Sequence, residues 1–257
     1  RFDDTRIIMT DSTISLAEQH DKIALLKELL TPRVVGLTKC KIGALADGGY
    51  ILAQELIPEH RVVYSLGIGD DVSFDLEIAK TCDRILQFDG TIPDLPHNNP
   101  KFVFTNANID SAAMNDNMRS IPEHEHQNNI LLKMDIEGAE YELLAGLEMD
   151  NLLKISQICM ELHFPIMASS SCIDLLMFLT SEFELFHLHV NNAALTISGP
   201  GYKVMVDDLP NLLELTFIRK DKCLFSKRET RAFPLEGFDY PNLPNLPDIP
   251  ANWWLQL

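Results

Sequence analysis

An apolar run closed by two glycines, Val62-Val63-Tyr64-Ser65-Leu66-Gly67-Ile68-Gly69-Asp70-Asp71, constrains this chain more than any other stretch. Such a run reads as a buried parallel strand turning into a loop whose backbone lies open to a ligand. Glycine permits both the tight turn and the close approach. A second apolar run, Ile85-Leu86-Gln87-Phe88, ends in Asp89, 22 positions after Gly67. A carboxylate at that place is positioned to hold the two hydroxyls of an adenosine ribose. The two runs describe the nucleoside-binding half of a Rossmann-like sheet.

A nicotinamide dinucleotide requires a third glycine three places after the second, where the start of a helix faces the pyrophosphate. Val72 stands there instead, preceded by Asp70 and Asp71. Carboxylates repel a pyrophosphate but attract a sulfonium cation that also carries an amino group. The loop chemistry therefore favours S-adenosylmethionine.

Alternating strand and helix patterns run from Arg61 onward. Strands are predicted at 61–66, 84–88, 101–105, 129–134, 156–162, 184–190 and 212–219, and helices at 73–82, 111–120, 138–147 and 171–181. Alternation of this kind builds a parallel sheet covered on both faces. The last two strands are joined by non-helical sequence containing Gly199-Pro200-Gly201, so the final strand is predicted to return antiparallel. The expected fold is α/β, the seven-stranded sheet of class I methyltransferases. Helical spacing from Ser12 to Leu30 adds an N-terminal helix, and Cys40 to Leu52 reads as two short extended pieces around a glycine turn. Pro241, Pro244, Pro247 and Pro250 recur every third residue, the period of a polyproline II helix, and Trp253 and Trp254 follow. The expected division is a helical extension at 1–39, the methyltransferase domain at 40–225 and a Pro-rich strap at 226–257.

Composition narrows the setting. The 257 residues are 46% hydrophobic and can bury a full core, yet no apolar run approaches the ~20 residues of a membrane span. A net charge of −17 points away from a nucleic-acid substrate, which normally takes a basic surface. The one cationic cluster, Arg219-Lys220-Asp221-Lys222 with Lys227-Arg228 beyond, reads as a solvated strand end. Five cysteines without Cys-x-x-Cys spacing, and a start lacking signal-peptide features, point to the cytoplasm. The abrupt start at Arg1 is consistent with a piece of a multidomain parent.

Ligands of a parallel sheet lie at the carboxyl ends of its strands. Those ends carry Asp135-Ile136-Glu137-Gly138-Ala139-Glu140, then Glu161-Leu162-His163, then His187-Leu188-His189-Val190-Asn191-Asn192. An antiparallel last strand brings Glu214 to the same side. Strand periodicity puts Glu161 and His163 on one face, and likewise His187, His189 and Asn191. A sheet needs none of these for stability, since each buried polar group costs free energy unless paired.

These motifs resemble the FkbM-type family of S-adenosylmethionine-dependent O-methyltransferases. The resemblance covers about Lys41 to Asp221. It rests on Asp47-Gly48-Gly49-Tyr50, the segment Tyr64 to Asp75, Lys133 to Glu140, Glu161-Leu162-His163, His189 to Asn192 and Leu213 to Asp221. The most distinctive element is Asp135-x-Glu137-Gly138-x-Glu140. Asp71 departs from the general glycine-rich loop by standing in its last glycine place. The resemblance implies a hydroxyl acceptor, often on a sugar or a polyketide, and by analogy a glycosyltransferase partner in the same protein.

For the cofactor, the expected residues are Gly67, Gly69, Asp71, Asp89, Asn108, Asp110 and Asp135, with Asn106 near the adenine and Asp47 and Tyr50 over the methionine end. For the acceptor they are Glu137, Asn191, Asn192 and Glu214. Methyl transfer to oxygen needs the acceptor aligned and its proton removed. His163 or His189 is the favoured base, oriented by Asp135 or Glu161. In the alternative, Asp135, Glu161 and His163 hold a divalent cation, Mn before Mg, on two vicinal oxygens. The leading reading is O-methylation of a sugar or glycan hydroxyl. The alternatives are methylation of a small lipid or polyketide hydroxyl, or a cofactor-binding accessory domain without catalysis.

Overall fold

A computed structural model describes residues 16–163, 170–193, 205–206 and 209–251. Several features singled out in the sequence lie outside the described residues: Ser12 and Ile14, Phe164-Pro165, Gly199-Pro200-Gly201, and Trp253-Trp254.

The chain begins with helix α1 (Leu16–Leu29), strand β1 (Arg33–Val34) and a hairpin of β2 (Lys39–Ile42) and β3 (Tyr50–Ala53). A 3-10 turn, Gln54–Glu59, leads to β4 (Val62–Leu66), α2 (Ser73–Ile78), β5 (Arg84–Phe88) and β6 (Phe102–Thr105). Helices α3 (Ser111–Ser120) and α4 (Glu123–His126) precede β7 (Ile130–Met134). Helices α5 (Glu140–Ala145) and α6 (Met149–Leu152) precede β8 (Ile155–His163), and α7 (Ser170–Glu182) precedes β9 (Phe183–Val190). The short pair β10 (Met205–Val206) and β11 (Leu209–Pro210) leads into β12 (Leu212–Arg219), and β13 (Lys227–Arg228) pairs with β1.

Seven strands form the central sheet in the order β6-β5-β4-β7-β8-β12-β9. The first five are parallel, and β12 inserts antiparallel between β8 and β9. The chain therefore leaves β4 toward one edge and resumes at β7 on its other side. That reversal opens a crevice beyond the carboxyl ends of β4 and β7. Strands β4, β7, β8 and β12 are buried along their whole length, as expected of strands covered on both faces. The largest core cluster includes Leu66, Leu132, Met134, Met160, Leu176 and Leu213, and α1 joins it through Leu26.

Several elements differ in extent from expectation. Helix α5 starts at Glu140 rather than 138, because Glu137 and Gly138 take positive φ values of 55° and 102° and cannot begin a helix. Helix α2 stops at Ile78 instead of running to 82, although turns continue its path to Cys82. The Pro-x-x repeat is not a continuous polyproline II helix: Leu246 N–H donates to Leu243 O and closes a turn within it. Arg219 is not solvated. It is buried, with its guanidinium on the carbonyls of Asn128 and Ile155 and on Asp221.

The C-terminal segment is bound to the sheet's carboxyl side at specific points. Asn192 Nδ2 donates to the carbonyls of Leu243, Leu246 and Pro247, while its Oδ1 accepts from Leu243 N–H. His187 Nε2 lies 2.8 Å from Asp239 Oδ1, whose other oxygen accepts from Leu235 N–H. Phe233, Leu235 and Ala251 are buried in the core. Among the described residues, no helix is long and apolar enough to cross a membrane.

Candidate active site

A cavity of about 550 Å³ occupies the crevice, within the size range of small-molecule sites. Gly67, Gly69, Asp89, Asn108, Asp135 and Asp47 are among the residues lining it. The two glycines have different reasons to be there. A Cβ on Gly67 would lie 1.6 Å from the Asp135 carbonyl oxygen, so only glycine lets the ends of β4 and β7 diverge side by side. Gly69 has φ +58° and nothing within 4 Å of the Cβ position, which leaves its backbone bare toward a ligand.

Asp89, at the end of β5, organises this loop. Its Oδ2 accepts from the backbone N–H groups of Ile68 and Gly69 at 2.8 and 2.9 Å. Its Oδ1 accepts from Thr91 N–H and Oγ1–H at 2.7 and 2.6 Å. Burial opposes its ionisation, but these four bonds prevail and hold the carboxyl down at about 2. Thr91 had no signal beyond its place after the acidic residue. Lys133 is a second participant visible only in three dimensions. It is a charge in an apolar run whose Nζ donates to the Gly67 carbonyl and lies 4.0 Å from Asp135 Oδ2.

Other expected cofactor residues have structural commitments. Asp71 lines the cavity, but its carboxylate accepts from Ser73 N–H and Oγ–H at the start of α2. Asn108 lines it and accepts from Gly90 N–H. Asp110 does not line the cavity: it caps α3, accepting from Ala113 N–H at 2.8 Å, because the helix start needs an acceptor there. Asn106 donates to the Pro93 carbonyl. Tyr50 is buried and not among the lining residues, with its ring edge-on to Phe74 and its hydroxyl 3.3 Å from Asp135 Oδ2.

Beyond Asp135 the cavity meets an acidic corner. The segment after β7 folds around Glu140, which is fully buried and accepts from the N–H groups of Ile136 and Gly138. Glu140 Oε1 also lies 3.0 Å from His163 Nδ1. The other ring nitrogen of His163 faces three carboxylates: Glu161 Oε2 at 3.3 Å, Glu137 Oε2 at 3.4 Å and Asp135 Oδ1 at 3.8 Å. Burial works against charge on His163, yet Glu140 and Glu161 raise its pKa to about 10. Burial lifts the Glu161 carboxyl to about 7; the His163 contact opposes that shift, and Asp135 and Glu214 add to it. Glu137 is the solvent-facing member, with 81% side-chain exposure.

Cross-strand register extends the row. Glu214 on β12 stands opposite Glu161 on one side and opposite His189 on the other. His189 is fully engaged: Nδ1 lies 2.9 Å from Glu214 Oε2, and Nε2 lies 3.0 Å from Asp248 Oδ1 of the C-terminal segment. Both ring nitrogens of this expected base therefore already have carboxylate partners. Asn191 and Asn192 are likewise not free for substrate. Asn191 Nδ2 donates to Glu161, and Asn192 holds the C-terminal segment. Glu214 is buried and bonded to His189 and Asn242. Asn242, which no sequence pattern marked, also donates to Asp47 at 3.2 Å.

Comparison with known proteins agrees in kind. The family described as the methyltransferase FkbM domain matches residues 44–187. Solved structures resemble the chain only distantly. A putative S-adenosylmethionine dependent methyltransferase from Listeria monocytogenes shares 10% identity, with 63% of this chain and 91% of that chain covered and a TM-score of 0.36. The 23S rRNA methyltransferase ErmE shares 12% identity over 68% and 72% of the two chains, with a TM-score of 0.38. SMU.1697c, a putative methyltransferase from Streptococcus mutans in complex with SAH, shares 9% over 64% and 93%, with a TM-score of 0.32. No curated protein matches the chain.

Proposed function

The chain belongs to the FkbM family of S-adenosylmethionine-dependent methyltransferases, and on that footing we propose that it methylates a hydroxyl of a sugar or glycan. The observation that carries this reading is the corner formed by Asp135, Glu137, Glu161 and His163 beside the cavity. Carboxylates accept hydrogen bonds, so a polyhydroxyl acceptor complements them, whereas an apolar lipid leaves them desolvated and a phosphate backbone is repelled.

The cavity fits the cofactor in three respects. Its volume is adequate, Gly69 leaves bare backbone, and its acidic lining suits a cationic donor. S-adenosylmethionine supplies an electrophilic methyl group carried on a sulfonium. In this reading Gly67 and Gly69 face its ribose and methionine, Asp89 takes the ribose hydroxyls in exchange for the Thr91 hydroxyl, and Asp135 lies toward the methyl. The acceptor hydroxyl docks at the corner, and its proton passes to a carboxylate rather than an imidazole. His189 is bonded at both nitrogens, and His163 Nε2 is already faced by Asp135, Glu137 and Glu161. Glu137, at the exposed rim, receives the proton and releases it to water.

The test is formation of S-adenosylhomocysteine from S-adenosylmethionine with a panel of free and lipid-linked sugars, beside apolar alcohols. Turnover with vicinal-diol sugars is expected. Turnover confined to apolar alcohols would favour the lipid or polyketide reading, and tight cofactor binding without any turnover would favour an accessory domain.

A further inference from the structure

We infer that Asp135, Glu161 and His163 form a divalent-cation site, and that the cation offers its remaining positions to two neighbouring oxygens of the acceptor. The second half rests on the methyltransferase reading; the first does not.

The geometry at His163 carries the argument. Its Nε2 can donate one proton, yet three anionic oxygens converge on it at 3.3, 3.4 and 3.8 Å. Each is longer than an optimal charge-assisted hydrogen bond of about 2.7–2.9 Å. A single proton cannot serve three such acceptors, whereas a cation between Asp135, Glu161 and the ring nitrogen satisfies two of them and leaves Glu137 at the rim. With metal–ligand bonds of roughly 2.1 Å, donor atoms stand about 3.0 Å apart at right angles and about 4.2 Å apart when opposite. The Nε2–Oε2 and Nε2–Oδ1 separations of 3.3 and 3.8 Å fall between those limits. One donor atom each from Asp135, Glu161 and His163 lies within 4.8 Å of the others.

Independent support comes from the far side of the ring. Glu140, fully buried and anchored by two backbone N–H groups, lies 3.0 Å from Nδ1. A carboxylate on one imidazole nitrogen holds that nitrogen's proton and fixes the tautomer, so a cation that displaces the proton of the other nitrogen finds a lone pair there, the arrangement found behind metal-bound histidines. Asn191 holds Glu161 Oε1 in the same way. A second group, Asp47, Glu161 and Glu214, also brings one donor atom each within 4.8 Å of the others. Its vacancy is filled by Asn242, whose amide donates to both Asp47 and Glu214. Two carboxylates and one imidazole suit Mn²⁺ or Mg²⁺ rather than a thiophilic metal.

The role also fits the chemistry. An alcohol bound to the cation becomes more acidic. Its proton then leaves to Glu137 at the rim, while the oxygen takes the methyl group and neutral S-adenosylhomocysteine departs.

The experiment uses the full chain, stripped with chelator, and Mn²⁺ alone. Electron paramagnetic resonance titration should show a saturable site, and pulsed measurements should show ¹⁴N coupling from a single imidazole. His163→Gln should abolish that coupling, and Glu140→Gln should weaken binding ~10–100-fold, as loss of an outer carboxylate does elsewhere. The wild-type spectrum is decisive even if a variant fails to fold. Absence of saturable binding at millimolar Mn²⁺, or binding without ¹⁴N coupling, overturns the site. Methyl transfer at full rate after chelation overturns the acceptor role while leaving the methyltransferase reading intact. Coupled Mn²⁺ without transfer to any hydroxyl supports the site and counts against that reading.

Discussion

Asp248 and His189 are 59 positions apart in sequence, yet Asp248 Oδ1 lies 3.0 Å from His189 Nε2. The contact joins the C-terminal segment to β9, the edge strand of the sheet, and Glu214 on the neighbouring β12 holds the other ring nitrogen. Burial opposes a charge on His189, but Glu214 and Asp248 outweigh it and raise its pKa to about 10. The stability this brings is fully present below the unfolded value near 6.5 and is lost as pH rises through 10. Asp248→Ala leaves a buried charge half-paired and should cost ~1–3 kcal/mol. In denaturant titrations, His189→Gln should flatten the decline between pH 7 and 10; an unchanged slope would show that the ring is neutral.

His60 reports on the acid side. It is fully buried, its Nδ1 donates to the Asn129 carbonyl and its Nε2 accepts from Gln157. Burial lowers its pKa to about 4. Below pH 6.5 the unfolded chain takes up a proton that the folded chain refuses, so stability falls as pH drops from 6.5 toward 4. His60→Gln should lower stability at pH 7 but remove part of that slope, measured by chemical unfolding at several pH values.

Asp89→Ala removes the acceptor for four hydrogen bonds and the proposed ribose contact together. Calorimetry should show S-adenosylmethionine affinity reduced at least tenfold, a loss of ~1.4 kcal/mol or more. Thr91→Val removes only one of the bonds and should change affinity far less. Equal losses in the two variants would mean that loop order, rather than the carboxylate, governs binding.

Two alanine substitutions separate the roles of the glycines. Gly67→Ala places a Cβ 1.6 Å from backbone oxygen and should prevent native folding or lower Tm drastically. Gly69→Ala meets no atom within 4 Å and adds only the strain of a positive φ, about 1 kcal/mol. That corresponds to a Tm decrease of ~2–4 °C for a chain of this size. It should still weaken cofactor binding, because the new methyl group stands on the open side of the loop.

Much of the sheet was legible along the chain, because a strand buried on both faces is predominantly apolar on both. Val62–Leu66, Ile130–Met134 and Leu212–Arg219 were readable for that reason. The glycine–aspartate spacing from Gly67 to Asp89 likewise belongs to one strand-turn-strand unit, so distance in sequence maps onto distance in space. Short elements escaped notice. Helix α4 and the β1–β13 pair are too brief to show a period, and their stability comes from what they pack against.

What each polar side chain does was not legible, because a hydrogen bond has no sequence period. Asp110, Asn191, Asn192 and His189 have the residue types of a binding site, yet their partners are Ala113, Glu161, Leu243 and Asp248. The sequence by itself determined the parallel sheet, its glycine-closed first strand and the acids gathered at its carboxyl ends. Only the tertiary structure decided which of those acids face an open cavity and which are consumed in holding the chain together. Burial penalises a polar atom left without a partner, and the partners found here come from segments as remote as the C-terminal strap.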